Sequence, residues 1–61
     1  MANLTSKELT AIEDQLSAEQ LLITKYRSAA GSINDPELKS VLERAASKHQ
    51  EHYSRLLSHL N

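Results

Sequence analysis

Apolar residues recur along this chain in alternating steps of three and four. One run reads Leu9, Ile12, Leu16, Glu19, Ile23, Tyr26, Ala30 and a second reads Leu38, Leu42, Ala45, His49, His52, Leu56. Steps of this kind fall on one face of a helix, so the pattern predicts two amphipathic helices. Three members break the apolar rule: Glu19, His49 and His52. A polar group on a buried seam costs free energy unless a partner satisfies it. These three are therefore the candidate functional residues.

Local signals set the ends of the elements. Thr5-Ser6-Lys7-Glu8 has the spacing of a capping box, in which the threonine hydroxyl and the glutamate carboxylate each satisfy the other's amide. Leu4 and Leu9 are placed to form a hydrophobic staple over it. Gly31, the chain's single glycine, stands where a helix is expected to end in the left-handed conformation. Asp35 then caps a second helix, Pro36 occupies its first position, and Glu37 meets the positive end of its dipole. The expected organisation is one domain over residues 1–61, with a helix over about 5–30, a turn over about 31–35 and a helix over about 36–60. So short a turn makes the helices antiparallel neighbours. β-branched residues are sparse and no alternating run exists, so strands are not expected.

Taking the turn as centred near residue 34, facing residues have numbers that sum to about 68. Glu19 then falls opposite His49, with His52 one turn further on beside Leu16. All three also lie near the middle of their helices. A two-fold pairing of hairpins about mid-length would bring both sets together in the core of a four-helix bundle. Leu22, Val41, Ala46, Tyr53, Leu57 and Leu60 widen the stripes beyond what one hairpin covers, and exposed apolar surface of that kind points to a homodimer.

Size sharpens this expectation. A chain of 61 residues is marginal alone and needs disulfides, metal or self-association. There are no cysteines, which leaves the last two. The net charge of −1 comes from interspersed acids and bases, and there are only two aromatic residues. No basic stripe or stacking platform for nucleic acid is present. Leu21-Leu22-Ile23 is too short to span a membrane, and Met1-Ala2-Asn3-Leu4 lacks the features of a secretory leader. The expected localisation is therefore cytoplasmic synthesis without export by a signal peptide.

Two histidines at i, i+3 facing a carboxylate make a workable site for a first-row transition metal. An imidazole-rich set suits Zn, Cu, Ni or Fe better than Mg or Ca. The competing reading is a polar core layer in which Glu19 accepts hydrogen bonds from the histidines and fixes register. His59 keeps the phase of the stripe but falls at the helix end, where it reads as surface. Glu13 and Glu43 flank the seam and Glu51 points away from it. The serines sit on exposed helix faces, with no nucleophile elbow and no glycine-rich phosphate loop, so no enzyme activity is expected.

Two resemblances add to this reading. Leu16-Ser17-Ala18-Glu19-Gln20 with Lys25-Tyr26 resembles the first metal-ligand helix of ferritin-like and rubrerythrin-like proteins. Lys48-His49-Gln50-Glu51-His52-Tyr53 lies where those proteins carry Glu-x-x-His. Glu19 and His52 map to ligand positions, whereas His49 replaces the glutamate, so the carboxylate-rich di-iron set is incomplete. Across nearly the whole chain, the opening Leu-Thr-x-Lys-Glu-Leu, the Asp-Pro-Glu-Leu-Lys turn and the Lys-His-Gln-x-His-Tyr segment are similar to small spore coat F-like proteins of endospore-forming Firmicutes. That resemblance implies an all-α, ferritin-like four-helix bundle formed by two hairpins. It also implies a structural or assembly role with other spore coat proteins at the forespore surface or in the coat. It implies no particular ligand set.

Overall fold

The computed structural model describes residues 4–60. Two helices, α1 (Ser6–Ser32) and α2 (Pro36–Ser58), pack against each other as an antiparallel hairpin, with no strand among the described residues. The hairpin is a rod of 46 × 15 × 11 Å. None of its helices is long and apolar enough to cross a membrane.

Both N-termini are closed by side chains, as their sequences predict. At α1 the Thr5 hydroxyl accepts from the Glu8 amide at 3.0 Å, while the Thr5 amide donates to Glu8 Oε1 at 2.9 Å. The backbone amide of Thr5 and, after it, the Thr5 hydroxyl hold the Glu8 carboxyl below its ordinary value of 4.5. At α2 the Asp35 carboxylate accepts from the amides of Glu37 at 2.9 Å and Leu38 at 3.1 Å. Pro36 follows it at the first helical position, where no amide is needed.

The end of α1 differs from expectation. Gly31 lies inside the helix and has no positive φ; the helix continues to Ser32 and stops when Ile33 turns extended, at φ −99° and ψ 142°. The Ser32 hydroxyl donates back into the last turn, to the carbonyls of Ser28 at 3.0 Å and Ala29 at 3.3 Å. At the other end, α2 closes at Ser58, and the His59 and Leu60 amides bond the carbonyls of Leu56 and Leu57, each at 3.0 Å. The last turn thus tightens before Leu60.

Packing selects one of two overlapping stripes on α2. The stripe read from sequence and the stripe Leu42-Ala46-His49-Tyr53-Leu56-Leu60 share Leu42, His49 and Leu56; the second is the more deeply covered, while the first also reaches α1 through half-buried Ala45 and through His52 beside Glu19. Ala46 is buried and Tyr53 and Leu60 are half-buried, whereas Leu38 and His52 stay open. The small side chain of Ala46 permits close approach, and Tyr53 adds contact area, which explains the choice. On α1 the buried positions are Glu19, Ile23 and Ala30, and Leu9 at its first turns is exposed. The apolar core of this hairpin is therefore thin: Ile23, Ala30 and Ala46 are its only buried apolar residues among those described.

Candidate metal centre

Mid-length of the hairpin is occupied by a carboxylate. Glu19 is 4 % exposed, the one buried charged residue among those described. The helical phase of α1 points it at α2 together with Ile12, Leu16 and Ile23. His49 Nδ1 lies 2.5 Å from its Oε1 and His52 Nδ1 lies 3.1 Å from its Oε2. A carboxylate accepts, so in the Glu19–His49 bond the imidazole donates its Nδ1–H. The carboxylate thus stands between two rings one turn apart on α2, hydrogen-bonded to His49 through Oε1 and with the His52 nitrogen beside Oε2.

The His49 ring is held on two sides. Tyr26 stacks on it, with centroids 5.6 Å apart and planes 10° from parallel. His52 meets it edge-on at 5.5 Å and 89°. Helical side chains lean toward the N-terminus of their own helix. In an antiparallel pair, Tyr26 and His49 therefore lean toward each other along the rod and meet between their Cα levels. His49 is about a quarter exposed and His52 about half, so the cluster is closed on the seam and open on one flank.

Glu19, His49 and His52 each bring a donor atom to within 4.8 Å of the others. Nitrogen and carboxylate ligands sit about 2.0–2.2 Å from Zn²⁺, so ligand atoms around one ion are separated by up to about 4 Å. The present donor atoms lie close to those separations, and a shared ion would require them to shift. The 2.5 Å Glu19–His49 contact is a hydrogen bond, and an ion bound between those atoms would displace its proton. Two imidazoles and one carboxylate are a borderline donor set, suited to Zn²⁺ and its neighbours rather than to hard cations.

All three residues singled out from sequence come together as the facing rule requires: 19 and 49 are bonded directly. Glu13, Glu43 and Glu51 are exposed and stand outside the cluster. Two neighbours were not anticipated. Arg55 and His59, the latter read from sequence as surface, line an open depression with Glu19, His52 and Leu56. His59 Nδ1 bonds the Arg55 carbonyl at 2.9 Å, which fixes its ring at the rim. The available signal was spacing, since His59 follows His52 by seven residues and shares its face. Compared with known proteins, the chain matches no family model, no curated protein and no solved structure.

Proposed function

We propose that this chain is a structural, non-catalytic protein that works as a homodimeric four-helix bundle associated with the bacterial spore coat, and that Glu19, His49 and His52 bind a first-row transition metal in its core. The observation that carries the metal reading is the buried Glu19 carboxylate with an imidazole nitrogen on each oxygen. A register-setting layer needs one hydrogen-bonded pair; a second histidine on the open flank supplies a third donor. Zn²⁺ fits this set, and Fe, Cu or Ni share its preference for imidazole.

The dimer is supported by the thinness of the core. A hairpin with three buried apolar residues leaves Leu21, Leu38, Val41 and Leu57 between 43 and 57 % exposed. A chain this small gains stability by association or metal. The biological setting rests on the sequence segments that resemble spore coat F-like proteins, and the protein's placement at the forespore surface or in the coat belongs to that part of the proposal.

Metal analysis of protein purified without chelator, with the thermal midpoint measured before and after EDTA, tests the site. Bound metal and a midpoint lowered by EDTA are expected. A metal-free protein indifferent to both zinc and EDTA would leave the hydrogen-bonded polar layer as the role of the cluster. Fractionation of a tagged copy in an endospore-forming host tests the setting, with recovery in the coat fraction expected and confinement to the mother-cell cytosol contradicting it.

A further inference from the structure

Glu19, His49 and His52 supply three donors. A closed structural zinc site takes four protein ligands, whereas an open one has three and keeps its last place for water or an incoming group. Burial gives the direction of that place. Glu19 is sealed in the seam, His49 is about a quarter exposed and His52 about half. Glu19 and His52 line an open depression of about 280 Å³ together with Arg55, Leu56 and His59. One water takes up about 30 Å³, so an ion fits there with its water shell. The groove lined by Gln20, Ile23, Thr24, Arg27, Gln50 and Tyr53 includes none of the three donors.

His59 stands on the way in. Seven residues at about 100° each bring it to within about 20° of His52 around α2, about 10.5 Å further along the helix. Its Nδ1–H donates to the Arg55 carbonyl at 2.9 Å, which leaves the neutral ring with its lone pair on Nε2. Metal-bound histidines make the same kind of bond with their other nitrogen. His59 lies outside the set of donors that come within 4.8 Å of one another, so it is not a resident ligand of the site. Arg55, on the same wall of the depression, sets a permanent positive charge in the path of a cation.

We infer that metal enters and leaves the site through this depression, passed between water and the Glu19–His49–His52 set by the Nε2 of His59, a step that rests on the metal reading above. On the way in, the His59 nitrogen displaces one water from the hydrated ion. A donor of the site then displaces His59, which returns to the rim, and the proton of the Glu19–His49 bond leaves to water. Entry and exit cross the same barrier, so His59 changes both rates and leaves the affinity unaltered. The site exchanges its metal with the surroundings instead of locking it in.

Stopped-flow mixing of the metal-free protein with cobalt(II), whose visible absorbance reports ligation, measures uptake; mixing the loaded protein with excess EDTA measures release. His59→Gln is expected to slow uptake and release about tenfold each and to keep the dissociation constant within about twofold. Unchanged rates would overturn the relay. So would an affinity lowered about tenfold, the mark of a resident ligand. A second comparison tests the route independently of His59. Arg55→Gln removes a positive charge from the depression, and Arg27→Gln removes one from the groove on the other flank. At low salt, uptake is expected to be at least about threefold faster in Arg55→Gln than in Arg27→Gln, and the difference to fade at high salt. Equal rates in the two variants would overturn the route. A protein that binds neither cobalt nor zinc would refute the metal reading itself. One that binds both at rates indifferent to His59 and Arg55 would refute the route alone.

Discussion

Glu19 and His49 are bonded across the middle of the hairpin at 2.5 Å, joining a buried carboxylate of α1 to a ring that Tyr26 holds flat from above. Thirty residues separate them in sequence, and the bond ties the two helices together at mid-length.

Replacing the carboxylate separates its structural and metal roles. Glu19→Gln keeps the shape but loses the charge that faces both Nδ1 atoms, and is expected to cost about 1–3 kcal/mol. Glu19→Leu removes the acceptor altogether and leaves the His49 Nδ1–H facing an apolar side chain across the seam, the costly half of breaking a buried pair. Thermal unfolding in the presence of EDTA is expected to rank wild type above Glu19→Gln, whose amide oxygen still accepts one bond, and Glu19→Gln above Glu19→Leu. Zinc uptake is expected to be lost in both. If Glu19→Gln unfolds at the wild-type temperature, the carboxylate bridge contributes nothing to the fold.

Gly31 offers a gain in stability. It lies within α1 with no positive φ, and a Cβ added there meets nothing within 4 Å. Glycine inside a helix is less favourable than alanine by about 0.5–1 kcal/mol. Gly31→Ala is expected to raise the midpoint by roughly 4 °C, given about 4–8 °C per kcal/mol for a chain this short. A lowered midpoint would show that the turn needs the freedom of glycine after all.

The α1 cap predicts an acid-side pH dependence. Glu8 has a folded pKa below its ordinary value of 4.5, set by the Thr5 amide and hydroxyl. A carboxyl lowered in the folded state contributes stability that is fully present above the unfolded value and is lost as pH falls through the folded one. The difference in midpoint between wild type and Glu8→Gln is therefore expected at pH 7 and expected to shrink as pH falls below 4.5. Thr5→Ala, which removes the hydroxyl cap, is expected to cost about 1 kcal/mol. A Glu8→Gln difference that persists unchanged at pH 3 would exclude the ionised capping box as its cause.

Much of this architecture was legible from residue order. Capping chemistry is local, so Thr5, Glu8, Asp35 and Pro36 act as read. The facing rule brought Glu19 to His49 because a three-residue connection, 33–35, leaves little freedom in register. Legibility failed where two local solutions are close in energy. At Gly31 the helix runs on one residue further, and the chain leaves it through the extended backbone of Ile33 instead of a left-handed glycine. Leu42, His49 and Leu56 belong to two stripes at once, and only the fit of Ala46 against α1 decides between Ala45–His52 and Ala46–Tyr53. The place of Tyr26 against His49 depends on the direction in which side chains lean, which residue spacing alone does not report.

Native mass spectrometry of the chain after addition of zinc tests the central claim most directly, because one spectrum reports both assembly and metal content. The account predicts a dimer carrying two zinc ions. A folded monomer, or a dimer that stays free of zinc, would contradict it.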